Sequence, residues 1–148
     1  MRRIALISGC LAGAALMLLG IAGCGSDPDP EVTTKAEFVE RANEICNRAN
    51  EVLRQGVVDA FGPDEQPSDE EGIRYTHEVW VPNLRQQVRD LRALEWPPGD
   101  RREIESMLKG LERATDRVEA DPGLASQGPF EAVTRRLTDY GIGPCGSP

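Results

Sequence analysis

Residues 35–53 read KAEFVERANEICNRANEVL, and the spacing of their apolar members decides the fold. Phe38, Ala42, Ile45, Ala49, Val52 and Leu53 recur at steps of four, three, four and three before a closing adjacent pair, which puts all six on one side of an α-helix. That side faces a core, and Cys46 lies at its flank. Glu37, Arg41, Glu44 and Arg48 take the opposite face, where Glu37/Arg41 and Glu44/Arg48 are supportive pairs four residues apart. Thr34 with Glu37 is a capping box, in which each side chain takes a backbone N–H that the first turn leaves unpaired.

The pattern repeats along the chain. Residues 56–61 extend the first helix by a turn or more, and Gly62-Pro63-Asp64-Glu65-Gln66-Pro67 stops it. Ser68 with Glu71 is a second capping box, opening a stripe of Ile73, His77, Trp80, Leu84, Val88, Leu91 and Leu94. The predicted second helix runs from Asp69 to Glu95, about 40 Å. Pro82 interrupts it by removing the hydrogen bond to the Glu78 carbonyl and crowding it; since the stripe holds its phase on both sides, a kink is expected there rather than an end. Trp96-Pro97-Pro98-Gly99 then turns the chain, and Asp100 with Glu103 caps a third helix with the stripe Ile104, Met107, Leu108, Leu111, Thr115 and Val118. Asp121-Pro122-Gly123 ends it, and Leu124 to Gln127 forms a single turn. Gly128-Pro129 starts a fourth helix with proline at its first position and Phe130, Val133, Leu137 and Tyr140 on one face. Gly141 supplies its left-handed C-terminal residue and Ile142 the apolar contact that follows. No segment alternates with period two beyond a few residues. The expected fold is all-α, a four-helix antiparallel bundle in a single domain over residues 34–148.

Upstream the composition changes. Arg2 and Arg3 lead into the apolar run Ile4 to Leu19, which reads as an export signal over residues 1–23 rather than a fold element. Ile21-Ala22-Gly23-Cys24 then resembles the lipobox of bacterial lipoproteins: an aliphatic residue, two small residues and a cysteine. The resemblance implies that the Cys24 sulfur carries a diacylglyceryl group, with acyl chains such as palmitate, and that cleavage just before Cys24 makes it the mature N-terminus. Ile7-Ser8-Gly9-Cys10 is similar, but the apolar run before it is too short for an export signal, so Cys10 leaves with the peptide. Residues 24–33, including Gly25-Ser26-Asp27-Pro28-Asp29-Pro30-Glu31, are polar and proline-broken and read as a flexible tether, up to about 30 Å when extended.

With Cys10 removed and Cys24 lipidated, two of the four cysteines remain, Cys46 and Cys145, in an exported and therefore oxidising setting. An even remainder favours a disulfide that closes the bundle. A metal site is the poorer reading, since no CxxC spacing exists and His77 is the sole histidine. The mature segment also resembles a group of small helical actinobacterial lipoproteins, through Ala42-Asn43-Glu44-Ile45-Cys46-Asn47-Arg48-Ala49 and the terminal Tyr140-Gly141-Ile142-Gly143-Pro144-Cys145-Gly146. That resemblance implies a helical domain closed by the two cysteines and implies no activity.

Losing Arg2 and Arg3 from 17 basic residues leaves 15 against 25 acidic, a net charge of −10. Such a surface repels phosphate backbones and anionic head groups alike, so nucleic acid is not an expected partner and membrane association is expected through the acylated Cys24 alone. Asp64, Glu65, Asp69, Glu70 and Glu71 are clustered without the spacing of a calcium loop. The chain holds no Glu-x-x-His pair, Gly-x-Ser-x-Gly or phosphate-cradling loop, and no cofactor or catalytic residue is expected. One group combines polar and aromatic side chains: Tyr75, His77 and Trp80, within two turns of Pro82, where a kink can open a pocket for a ligand, although the favoured reading makes Trp80 core and His77 a satisfied or partly exposed edge residue. The expected function is a non-enzymatic interaction module, lipid-anchored on the extracytoplasmic face of the cell membrane, with another envelope protein as partner. The alternative is a carrier or sensor of a small apolar ligand bound between helices near Pro82.

Overall fold

The computed structural model describes residues 33–62, 67–143 and 145. The expected export signal over residues 1–23, Cys24, the expected tether up to residue 32 and residues 63–66 of the acidic loop lie outside the described residues. Within them the protein is all-helical, with no strand: α1 (Lys35–Phe61), α2 (Asp69–Tyr75), α3 (Val81–Ala93), α4 (Arg101–Ala120) and α5 (Glu131–Tyr140).

Both capping boxes form. The Thr34 backbone N–H donates to the Glu37 carboxylate at 2.8 Å while the Glu37 N–H returns to Thr34 Oγ1 at 3.3 Å, and Ser68 with Glu71 repeats the exchange at 2.9 and 3.4 Å. From its cap α1 runs through Phe61, so residues 56–61 do extend it. Its buried face is Phe38, Ala42, Ile45, Cys46 and Leu53, while Val52 is 57% exposed. The expected stripe is thus rotated toward Cys46, because the Cys46–Cys145 disulfide draws the C-terminal segment onto that flank, with the two Cα atoms 4.9 Å apart across 99 residues of chain.

The second predicted helix is broken as a helix type rather than as a path. Between α2 and α3 lies one π turn, Thr76–Trp80, in which the Val81 N–H reaches back five residues to the Thr76 carbonyl. Pro82 has no N–H for the Glu78 carbonyl, and the wider turn just ahead of it takes up the disruption expected as a kink. One extra residue per turn shifts the helix face by about 100°. The stripe therefore does not hold its phase: Ile73 is 48% exposed and His77 is exposed, while Thr76, Trp80, Val81, Leu84, Gln87, Val88 and Leu91 are buried. The helix ends at Ala93, and Leu94 is already extended ahead of Trp96, whose indole N–H donates to the Leu91 carbonyl at 3.0 Å.

After the single-turn helix Pro98–Asp100, α4 begins at Arg101. Asp100 stands at the cap position, but its side chain makes no capping bond; its carboxylate accepts from the Tyr140 hydroxyl at 2.6 Å. A tertiary donor has won over the local one. Pro122–Gln127 is a short 3-10 segment, and Gly128 adopts a left-handed conformation, φ 68°. The fourth predicted helix starts two residues later than the proline position implied: α5 begins at Glu131, behind Phe130. Its end is as expected. At Gly141, φ 112°, the Gly141 and Ile142 N–H groups donate to the Thr138 and Leu137 carbonyls at 3.0 and 2.8 Å, and Ile142 is buried.

The end of α5 is then fastened to the start of α1. Asn43 donates to the Gly141 carbonyl at 3.1 Å and accepts from the Gly143 N–H at 3.0 Å, one turn before Cys46. The Phe38 and Tyr140 rings meet edge to face, and the Lys35 ammonium lies 3.9 Å above the Tyr140 ring. Those contacts make one end of the molecule: α1 enters, α5 leaves, and α4 starts at Asp100.

Candidate functional site

The three residues marked by sequence around Pro82 do not share a space. Tyr75 turns to α1, where its hydroxyl donates to the Leu53 carbonyl at 2.9 Å and its ring lies 5.3 Å from that of Phe61. Burial pushes the Tyr75 hydroxyl above its usual pKa. Gly56 permits this approach, since a Cβ there would stand 3.0 Å from Val79 and 3.4 Å from the Tyr75 ring. Trp80 is 6% exposed, packed at 5.7 Å against Phe130, and its indole N–H has no partner among the described residues. His77 points outward. A cavity of about 600 Å³ does adjoin the π turn, but it is lined by Ser68, Gly72, Ile73, Thr76, Pro122 and others rather than by the marked trio.

A second polar feature was not singled out by sequence. Asn83 donates to the Ala49 carbonyl of α1 at 3.2 Å and accepts from the Gln87 amide at 2.8 Å. Gln87 is 2% exposed, and its own carbonyl oxygen is buried without a partner among the described residues. The signal was available, because Gln87 falls between Leu84 and Leu91 on the buried stripe, where an amide needs a bond to offset its desolvation. A small cavity of about 180 Å³ between α1 and α3 opens beside it.

The third feature is electrostatic and belongs to α4, where four of the five acids gather on one side, apart from Glu103. Glu105, Glu112, Asp116 and Glu119 form an acidic strip that faces α3. Arg92 meets Glu112 through two nitrogens at 2.5 and 2.9 Å, and Arg85 meets Asp116 at 3.0 Å and Glu119 at 2.5 Å. The hydrogen bond it donates to Glu119 holds the Arg85 guanidinium above its ordinary pKa. Next to it on the wheel run Arg102, Lys109, Arg113 and Arg117, at steps of seven, four and four, which place them along one side of the helix over about 22 Å. Arg136 of α5 joins this strip by donating to Ser106 at 3.2 Å.

The two strips differ in how they are neutralised. The acids have arginine partners from α3. Of the bases, Lys109 reaches Glu105 at 3.3 Å, whereas Arg102, Arg113 and Arg117 have no ion pair among the described residues. Lys109/Arg113 and Arg113/Arg117 are like-charged pairs four apart, each destabilising by about 0.2–0.5 kcal/mol. Beside the strip lie two grooves that meet at Arg113. One, of about 580 Å³, is lined by Trp96, Arg101, Arg102, Glu105, Ser106 and Lys109; the other, of about 370 Å³, by Gly110, Arg117, Pro129, Val133 and Arg136. Tyr140, which ties this region to the chain entry, has a hydroxyl held far above its usual pKa by burial and then by its bond to Asp100.

Among the described residues no group of three or more His, Cys, Asp or Glu is placed to hold a metal ion, and no helix is long and apolar enough to cross a membrane. Compared with known proteins, the chain matches no family model, no curated protein and no solved structure.

Proposed function

We propose that the protein is an exported, lipid-anchored interaction module of the cell envelope, held at the extracytoplasmic face of the membrane through acylated Cys24 and working without catalysis. The observation that carries this reading is the cysteine arrangement. Cys46 and Cys145 are bridged and buried, which fits an oxidising compartment, and Cys24 is left as the odd cysteine directly after an apolar, small-residue leader. The leader, residues 1–23, is read as a cleaved signal peptide. In the body, α2, the π turn and α3 count as one bent helix, so that four helices form an up-and-down antiparallel bundle. The ion pairs support this, since partners ascend in α3 from Arg85 to Arg92 as they descend in α4 from Glu119 to Glu112.

The carrier reading loses the three residues it was built on, because Tyr75 and Trp80 are engaged in packing, His77 faces outward, and the cavity of about 600 Å³ beside the π turn has other walls. The experiment for the anchor is a mass measurement on the N-terminal peptide of protein made in a lipoprotein-processing bacterium, with Cys24→Ser as control. A peptide starting at Cys24 with the added mass of a diacylglyceryl group, lost in the control, is the expected result. An unmodified start elsewhere would overturn the anchor.

A further inference from the structure

Composition and arrangement disagree about the surface of this protein. A net charge of −10 after removal of the leader argues for repulsion from anionic lipid, yet the charge is not evenly spread. On α4 four of the five acids face α3 and are clamped there by Arg85 and Arg92, Glu103 standing apart near Tyr140, while Arg102, Lys109, Arg113 and Arg117 with Arg136 form a separate cationic ridge. The ridge leaves like charges four residues apart with little neutralisation from within the described body, which is the pattern expected where an external anion supplies it.

Its position selects the anion. Thr34 caps α1 at the end where Lys35 covers Tyr140 and Tyr140 bonds Asp100, and Arg101 and Arg102 follow Asp100 directly. The chain therefore enters the body at the end where the ridge begins. Ten residues, Cys24 to Thr33, reach up to about 30 Å, longer than the ridge itself. Trp96, beside Arg102 in the groove, has an indole body suited to the headgroup level of a bilayer. A straight row of flexible cations on one helix side presents charge in a line, as a flat anionic surface needs, and an extended groove with aliphatic arginine stems accepts lipid headgroups without a closed pocket.

We propose that the cationic ridge of α4 is a docking surface for anionic phospholipid headgroups, which lays the domain on its side against the bilayer beside its own anchor. The geometry of this contact rests on the lipid-anchor reading, whereas the chemistry of the ridge does not. The electrostatic gain expected is about fivefold in membrane affinity per cation, so loss of three cations weakens it on the order of 100-fold.

The test uses the full chain, isolated from bacterial membranes and reconstituted into vesicles of phosphatidylcholine alone or with about one third phosphatidylglycerol. Lys35 and Lys109 are the only lysines, which makes amine labelling read by mass spectrometry a two-site footprint. Lys109 should lose label several-fold on the phosphatidylglycerol vesicles at low salt, and high salt should restore it. A variant with Arg102→Gln, Arg113→Gln and Arg117→Gln, all exposed positions, should label Lys109 equally on both vesicles while keeping the native circular dichroism and the Cys46–Cys145 bridge. Equal labelling of the parent chain on the two vesicles would overturn the proposal and leave an acidic protein as the counterpart of the ridge. Protection that persists in the triple variant would overturn it too. The same spectra report the N-terminal peptide: if it carries no lipid, the anchor reading fails, and salt-sensitive flotation of that unacylated chain with phosphatidylglycerol vesicles alone would still support the ridge.

Discussion

The two ends of the molecule are closed by different means. At the end where the chain enters, α1 is tied to the C-terminal segment by a disulfide, by both amide atoms of Asn43 and by the Tyr140–Asp100 hydrogen bond. At the far end, α1 and the α2–π–α3 helix are held by packing over Gly56, one hydroxyl of Tyr75 and the burial of Trp80. The first end also bears the start of the cationic ridge, and the second bears the partly exposed Val57, Val58 and Ile73. A rigid, covalently closed end is what the proposed anchor at Cys24 would call for. The far end, built without cross-links, is where opening is expected to begin.

The most drastic way to break the contrast is to remove the staple. Replacing Cys46 and Cys145 by alanine should cost about 4–5 kcal/mol on chain-entropy grounds for a loop spanning 99 residues. Urea unfolding of the oxidised protein against the double variant measures it, and a loss well below 1 kcal/mol would mean that the polar clamp alone closes this end. At the opposite end, Trp80→Ala should cost about 3–5 kcal/mol by vacating the space against Phe130. Hydrogen exchange should show this loss first in α2 and the π turn, with the amides around Cys46 opening later; simultaneous opening of both ends would erase the distinction drawn here.

Smaller changes sharpen it. Asn43→Ala removes two hydrogen bonds to the terminal segment and should destabilise by about 1–3 kcal/mol, and Tyr75→Phe removes one and should cost about 1 kcal/mol. Introduced into the Cys46→Ala/Cys145→Ala background, Asn43→Ala should cost more than in the bridged protein, because the amide clamp then acts alone. Tyr75→Phe, at the other end, should be additive with the bridge. Chemical denaturation of the four variants is sufficient to decide both.

Sequence made the stapled end legible and the packed end much less so. Capping boxes, the left-handed Gly141 and the paired cysteines are local or arithmetical signals, and each names its own partners: Thr34 finds Glu37, and Gly141 finds Thr138 within one turn. The π turn is not local in that sense. Proline at 82 announces a fault in the helix, but whether the backbone kinks or widens depends on what packs against it, and a one-residue widening was enough to move Ile73 and His77 off the core and Thr76 onto it. Asp100 has the residue type of a cap and the partner of a tertiary bond, a choice made by Tyr140 forty residues away. The sorting of charge on α4 was written in the heptad positions throughout, yet the whole-chain sum conceals it, since 15 arginines and 2 lysines count equally wherever they stand.

The smallest expected effect concerns acid. Each end has one capping-box glutamate with a lowered pKa: the bonds from the Thr34 backbone and then its side chain hold Glu37 below 4.5, and those from the Ser68 side chain and then its backbone do the same for Glu71. A carboxylate whose pKa is depressed in the folded state contributes stability that is present above the unfolded value and lost as pH falls through the folded one. Stability should therefore decline from these two groups below about pH 4.5, with little change above it. In a Glu37→Gln/Glu71→Gln variant the amide oxygens still accept at the caps, so stability near pH 6 should stay close to that of the parent while the acid-dependent loss shrinks. Separating the two substitutions sharpens the contrast between the ends: the first turn of α1 is held against Tyr140 by Lys35 and Phe38, and Asn43 fastens the helix about two and a half turns beyond its cap, so its first turn should fray little when Glu37 is protonated. The seven residues of α2 include no fully buried side chain and are tied to α1 at their last residue, Tyr75, rather than near the cap, so amide exchange in that first turn should rise first as Glu71 takes its proton. An acid response greater in the first turn of α1 than in α2 would show that those contacts do not shield their own end.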